Sequence, residues 1–384
     1  MPRPTVAEIN LEAIAHNVRA VKAHVGSAVR LLVAVKADGY GHGAVAVSET
    51  ALAHGAEWLG VATAEEGVAL RNAHLRAPIL VFGPIGADDV DAVLRVGLAT
   101  AVTSVEFART LDRQAGKSKK RARVHLKIDT GMGRVGFLMD EFPAALEEIA
   151  ALPNVVIEGI MTHFPSSDEK DKTFTRDQIA KFRAALGEMR DRGIAVPLIH
   201  TGNSGAILDV PESHFNMVRL GISLYGYYPS EDVSRAVELA PSMCVRTRIS
   251  HLKRVSAGTP ISYGRTFVTE RETLVATVPI GYADGLDRRL SNRGKMLVKG
   301  VGGREAICPI LGRVCMDQTM LDVTEVPEAT VGSDVIVISP RREDPNSVES
   351  LAKLLDTIPH VITCAISKRV PRIYLPAKTI TNDQ

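Results

Sequence analysis

The sequence is poor in the features that mark several protein classes. It holds only four cysteines in 384 residues, at Cys244, Cys308, Cys315 and Cys364. Their spacing matches neither a zinc site nor a disulfide framework, so reduced thiols in a cytoplasmic protein are expected, with no metal. An excess of one charge is missing too. Lys plus Arg number 46 against 44 Asp plus Glu, a formal charge of +2. That balance gives no electrostatic case for nucleic acid or an anionic membrane. The densest basic run, Lys117-Ser118-Lys119-Lys120-Arg121-Ala122-Arg123, lies between a helical and a strand-like pattern and reads as a solvated loop. No apolar run approaches bilayer-spanning length. Met1 to Asn10 has no apolar core of the signal-peptide kind. No strand-like run is followed by a dinucleotide fingerprint or a P-loop.

What is present is a long alternation of strands and helices. The chain is long for one domain and comfortable for two. Strand patterns are read at 31–36, 58–62, 79–82, 99–102, 124–128, 156–161, 198–200 and 215–219. Helical patterns are read at about 44–54, 64–73, 87–95, 104–115, 140–151, 173–192 and 203–209, and a further helix, 11–24, precedes the first strand. Eight strands with helices in the gaps fit a (β/α)8 barrel better than an open doubly wound sheet. After about residue 240 short alternating runs take over, with one clear helix at 348–355. The expected architecture is α/β: an N-terminal (β/α)8 TIM barrel over 11–238 and a mostly β C-terminal domain over 239–384. A strand-like segment within 1–10 is expected to pack on the second domain.

The first barrel strand leads into Lys36-Ala37-Asp38-Gly39-Tyr40-Gly41-His42-Gly43. Alternation puts Leu32, Ala34 and Lys36 on one face. If that face is the barrel interior, Lys36 reaches the C-terminal rim, where barrel enzymes carry their chemistry. A lone strand-ending lysine more often snorkels into water. Here three glycines free the backbone for close approach to a ligand, and Tyr40 offers a hydroxyl over the same opening.

Residues 34–43 resemble the pyridoxal-phosphate lysine motif of the alanine racemases, in which the lysine holds the cofactor as a Schiff base. Further segments carry the same resemblance. Lys127-Ile128-Asp129-Thr130-Gly131-Met132-Gly133-Arg134 ends the fifth barrel strand. The resemblance implies that Arg134 contacts the cofactor's phenolic oxygen and the substrate carboxylate, and that Lys127, often carbamylated in relatives, braces it. His163 would bond the arginine behind the cofactor ring, although Pro165-Ser166-Ser167 replaces the alanines many relatives have there. His200-Thr201-Gly202-Asn203-Ser204-Gly205, with Ser204 either a helix N-cap or a phosphate ligand, and the amides of Gly221 and Ile222 would form a phosphate cradle. Arg219 would stand beside the pyridine nitrogen. A permanent cation there makes the ring a poorer electron sink and restrains side reactions.

The second domain adds three segments. Tyr263 lies in the one resembling the second catalytic base, Tyr282 in the entryway segment, and Met316 with Asp317 in the substrate-side loop. Tyrosines in β domains are usually packing residues, but three such motifs in the family's order weaken that reading. Near the C-terminus Lys368 stands where some relatives carry a phosphate-contacting tyrosine. The resemblance thus implies a pyridoxal-phosphate racemase for alanine, supplying D-alanine for cell-wall peptidoglycan. Lys36 would serve the D-alanine face and Tyr263 the L-alanine face. It also implies a head-to-tail homodimer with shared sites. Three other readings remain open: a racemase for serine or another amino acid, a basic amino-acid decarboxylase of the same fold, and a non-catalytic pyridoxal-phosphate carrier. Arg219 argues against the decarboxylase, which benefits from an acidic partner at the ring nitrogen. Tyr263, Tyr282 and Met316 argue against the carrier, which resembles the barrel alone.

Overall fold

The computed structural model describes residues 3–300 and 303–376. Two units emerge. One comprises Ile14–Gly39 and Ala44–Leu239; the remaining described residues form the other. Residues Tyr40–Gly43 therefore belong to the unit of the C-terminal half, although Lys36 does not.

The first unit is a closed barrel of eight parallel strands. After β1 (Val6–Asn10), which lies in the other unit, the barrel strands are β2 (Arg30–Ala34), β3 (Trp58–Val61), β4 (Ile79–Val81), β5 (Ala99–Val102), β6 (Ala122–Lys127), β7 (Val155–Met161), β8 (Leu198–His200) and β9 (Met217–Leu220). β2 closes the ring by pairing in parallel with β9, Leu31 opposite Val218. Side-chain alternation sorts the strands into two cores. Leu32, Trp58, Leu80, Met161, Leu198 and Met217 fill the inside. Val124, Leu126, Phe142, Leu146 and Phe182 pack strands against the outer helices. Each such side chain is worth about 1.5–3 kcal/mol when fully buried. The helices start where the sequence supplies caps: Thr63 Oγ1 accepts from Glu66 N, and Ser104 Oγ from Phe107 N, both at 3.3 Å.

The second unit is mostly β. Its strands are β10 (Met243–Arg248), β11 (His251–Val255), β12 (Pro260–Ile261), β13 (Phe267–Val268), β14 (Thr273–Val278), β15 (Lys295–Lys299), β16 (Glu305–Pro309), β17 (Thr319–Asp322), β18 (Asp334–Ile338) and β19 (Arg372–Leu375). They form a six-stranded sheet in the order β16-β15-β18-β10-β1-β19, a three-stranded sheet β11-β14-β17 and a small hairpin β12-β13. β1 runs antiparallel to β10 and parallel to β19, so the N-terminal strand is a central member of this sheet. Alternation along β1 buries Ala7 and Ile9.

Two expectations are corrected here. The β half carries a second helix, Pro359–Ala365, besides Val348–Leu354; its proline sits at the first turn, where the missing N–H costs nothing. The first barrel strand ends at Ala34, before Lys36. Ala37, Asp38 and Gly39 that follow are all left-handed, with φ of 51°, 52° and 61°. Lys36 therefore opens a left-handed turn and does not close a strand.

Candidate active site

The C-terminal ends of the barrel strands gather most of the implicated residues. The turn after β2 is tied down at both ends. Ala37 N donates to Glu66 Oε1 at 2.7 Å, and Ala44 N to Asp38 Oδ1 at 2.9 Å. Tyr225 Oη donates to Ala34 O at 2.8 Å, fixing the strand end just before Lys36. Left-handed Ala37 and Asp38 are strained for side-chain-bearing residues, a cost of order 1–3 kcal/mol each that clusters at functional sites.

After β6 the chain bends around Asp129. Its carboxylate accepts from the amides of Gly131 at 2.9 Å, and of Gly133 and Arg134 at 3.1 Å. Gly131 and Gly133 have φ of 141° and 68°, which only glycine adopts cheaply. Asp129 is thus the anchor of the bend that positions Arg134. Lys127, the last residue of β6, is 4% exposed. Burial, with the charges of Arg134, Arg219 and Lys36, lowers its pKa to about 8 against the pull of Asp129.

Arg219 is 5% exposed on β9. Its Nη1 donates to His200 Nδ1 at 3.0 Å and to His200 O at 2.9 Å. Its Nη2 donates to Thr162 O at 2.7 Å, Thr201 O at 2.9 Å and His163 Nδ1 at 3.1 Å. Burial lowers its pKa to about 9, which leaves it cationic at neutral pH. His163 is pushed well below its ordinary value, chiefly by burial and then by Arg219, Arg134, Lys127 and Lys36; its ring is neutral. The loops after β8 and β9 meet at Ser204, whose Oγ accepts from Gly221 N at 3.0 Å and Ser223 N at 3.3 Å. The helix cap is Asn203: its Oδ1 accepts from Ala206 N at 3.1 Å and its Nδ2 donates to Phe164 O. Ser204 is therefore not the N-cap, and its hydroxyl lies between the two loops. Ile222 is buried beside this junction.

The β unit places its residues differently. Tyr40 is buried, with its ring 5.5 Å from that of His360. The glycines flanking it lean on protein: a Cβ at Gly41 would strike Thr363 O, and one at Gly43 the Tyr374 hydroxyl. Arg372 Nε donates to Gly41 O at 2.9 Å. Tyr263, Tyr282 and Met316 are 69%, 42% and 51% exposed. Tyr263 borders a cleft of about 460 Å³ lined also by Lys253, Ser262, Cys315 and Gln318. The Tyr282 turn is braced through Asp284, which pairs with Arg3 and accepts from Gly281 N at 2.9 Å. Asp317 accepts from Arg369 Nη2 at 2.8 Å. Lys368 is exposed. Among the described residues no helix is long and apolar enough to cross a membrane.

Comparison with known proteins decides the family. The alanine racemase N-terminal domain matches residues 9–229, and the alanine racemase C-terminal domain matches 242–374. The chain belongs to the alanine racemase family. It is thereby an isomerase, an alanine racemase by its relatives and by its fold. Alanine racemase 2 of Caldanaerobacter subterraneus subsp. tengcongensis is 43% identical over 97% of this chain and 95% of its own length. The alanine racemase of Clostridium difficile 630 superposes with a TM-score of 0.92 at 36% identity, covering 98% of this chain and 96% of that one. The alanine racemase of Bartonella henselae with covalently bound pyridoxal phosphate does so at 0.85 and 26%, covering 97% and 100%. The sequence alone gives no role to His125, His200 or Glu158, which line up behind Arg219. Their one signal was position: His125 shares a strand face with Lys127, and His200 closes β8.

Proposed function

We propose that this racemase inverts the α-carbon of alanine with Lys36 and Tyr263 as its two bases, using pyridoxal phosphate held at the barrel mouth. One observation carries the reading. Lys36, Lys127, Arg134 and Arg219 all bear electrostatically on His163 at one rim. The nearby carboxylate of Asp129 is consumed by three backbone amides. Such a rim calls for anions, and a cofactor phosphate with a substrate carboxylate supplies them. The covalently bound cofactor of the Bartonella relative supports the same group here.

The residues present fit that group. Ser204 Oγ and the Ile222 amide would form a phosphate cradle together with the Gly221 amide, which would turn from Ser204 Oγ to the phosphate, and Asn203 would shape the loop. Arg219 supplies a fixed cation to the ring nitrogen, and His163 with two carbonyls holds its Nη2. Arg134 takes the substrate carboxylate through a planar fork, and Lys127 braces it. When bound, pyridoxal phosphate spreads the negative charge that develops at the α-carbon. The chain does the rest. Nζ of Lys36 anchors the cofactor and moves the proton on the D-alanine face. Oη of Tyr263 moves it on the other face. Tyr40 belongs to the phosphate end, Tyr282 and Asp317 to the entrance, and Met316 to the substrate side.

A base as exposed as Tyr263 works on a carbanion only where water is shut out. A homodimer in which each β domain covers the partner's barrel mouth meets that need, and makes two equivalent shared sites. The product role that goes with this reading is cytoplasmic supply of D-alanine for cell-wall peptidoglycan. The test is chiral analysis of L-alanine incubated with the cofactor-loaded enzyme, with L-serine in parallel. Conversion of L-alanine to an equal mixture of enantiomers is expected. Carbon dioxide release, or faster turnover of serine, overturns the assignment.

A further inference from the structure

A line of polar side chains continues from Arg219 into the barrel interior. Beyond the Arg219–His200 contact, His200 Nε2 is 2.7 Å from His125 Nδ1. His125 Nε2 faces Glu158 Oε2 at 3.6 Å. Glu158 is clamped by Arg123, whose Nε and Nη2 donate to its two oxygens at 3.0 and 2.7 Å. The Arg123 guanidinium lies over the Trp58 ring, 5.5 Å from its centre. His125 and His200 are wholly buried.

The backbone is shaped for this line. Pairing of β6 with β7 slips between Val124–Ile157 and His125–Gly159, so Glu158 is the extra residue of a bulge. Bulges re-aim side chains. The next residue is Gly159, where a Cβ would overlap the His125 ring. Both features cost regular sheet pairing or packing, and both serve the contact between His125 and its neighbours.

Proton bookkeeping gives the line a direction. Arginine has donors only, so His200 Nδ1 accepts from Arg219 and the His200 proton sits on Nε2. That N–H donates to His125 Nδ1, which puts the His125 proton on Nε2 as well. Burial depresses both imidazoles and keeps them neutral, one proton each. The line ends on an N–H turned toward a carboxylate. At 3.6 Å the gap is too long for a hydrogen bond, so the carboxylate acts across it by its charge. Burial opposes that charge, but the contacts with His125 and Arg123 outweigh burial and hold Glu158 below its ordinary pKa.

We propose that Glu158 is a positioning residue for Arg219: aimed by the bulge, it holds the His125 proton on Nε2 and so keeps an acceptor turned toward the guanidinium. With the protons on Nδ1 of both rings, His200 would present N–H to N–H, and Arg219 would be pushed aside.

The inference rests on the reading of Arg219 as the cation beside the cofactor ring. Its first test is neutron diffraction from deuterated crystals of the cofactor-loaded enzyme. Deuterium on Nε2 of both His125 and His200, with none on either Nδ1, is expected. Deuterium on either Nδ1 overturns the proposal whatever reaction the enzyme performs, and this result needs no variant to fold. The second test compares two variants. Glu158→Leu removes the charge that faces His125 and should lower kcat about tenfold with KM within about twofold. It should also shift the visible absorption of the bound cofactor. Glu158→Asp keeps the carboxylate charge and should restore most of kcat and the original spectrum. A Leu variant with unchanged spectrum and kcat, or an Asp variant as impaired as Leu, reduces Glu158 to a partner for Arg123 and sinks the idea. Failure of the wild-type enzyme to racemise alanine would instead strike the reading of the site and leave the proton positions standing.

Discussion

The barrel mouth and the Tyr263 segment hold their proposed catalytic groups in opposite ways. At the mouth the functional side chains are sunk and mutually constrained. Arg219 donates five hydrogen bonds to histidines and carbonyls, and Lys127 titrates low because it is buried among cations. At Tyr263 only the backbone is constrained. Ser262, Gly264 and Arg265 all have positive φ, at 66°, 70° and 50°. Ser262 Oγ pins the turn by donating to Arg313 O at 2.7 Å, yet the tyrosine ring stands in solvent. Burial lets a chain set the charge and aim of a group by itself. An exposed group takes its environment from whatever comes to cover it. The barrel half is therefore preorganised, and the β half is poised.

The largest effect expected is at Lys36. Lys36→Ala should abolish racemisation and the visible absorption of lysine-bound cofactor; a variant that keeps both removes Lys36 from the site. Next comes Arg219→Glu, which replaces the buried cation by an anion. Racemisation should fall by orders of magnitude while transamination or a long-wavelength absorbing species appears. If activity falls with no new species, the ring-electronics account of Arg219 is wrong.

The poised half is tested by complementation. Lys36→Ala and Tyr263→Ala chains should each be nearly inactive alone. Random reassortment makes half the dimers mixed, each with one intact site, so activity should return to roughly one quarter of wild type. Verified mixed dimers as inactive as their parents would show that the site is not shared.

Two smaller effects probe the preorganised half. Gly159→Ala sets a methyl against the His125 ring and should destabilise by about 1–3 kcal/mol, measured by denaturant unfolding. Little or no loss would mean the ring has room to move. At Lys127 the folded pKa is about 8 against an ordinary 10.5. Between those values the unfolded chain binds a proton that the folded chain does not, so stability should rise with pH through that window. Denaturation of wild type and Lys127→Met in carbon-dioxide-free buffer reads this. A difference between them that stays flat from pH 8 to 10.5 would show that burial does not weaken this lysine's charge.

Much of this was legible one segment at a time. Short continuous aliphatic runs marked most of the barrel strands, because parallel strands buried on both faces are apolar nearly throughout. Glycines at 131 and 133 marked the bend before Arg134, because that backbone has positive φ. The left-handed turn at Ala37 and Asp38 was not legible, since alanine disfavours it and one aspartate is a weak signal; contacts to Glu66 and Tyr225 flank it. The sequence points Gly41 and Gly43 toward ligand approach, whereas their neighbours are Thr363 and Tyr374, more than 300 residues later in the chain. The second helix, Pro359–Ala365, escaped because it is seven residues long, too short for a periodic signal.

The sequence by itself determined which residue types the chain carries, the lysine, arginines, histidine and tyrosine to which the proposed chemistry is assigned, and the family to which it belongs. Local pattern suffices for this, because hydrophobic period and glycine placement act over a few residues. The tertiary structure alone decided which of those groups feel one another. It set Arg219 against His163 and His200, lowered Lys127 to about 8, and turned Glu158 toward His125 through one extra residue in β7. Electrostatic coupling and desolvation depend on distance through space, and only closure of the barrel brings strands so far apart in sequence into that range.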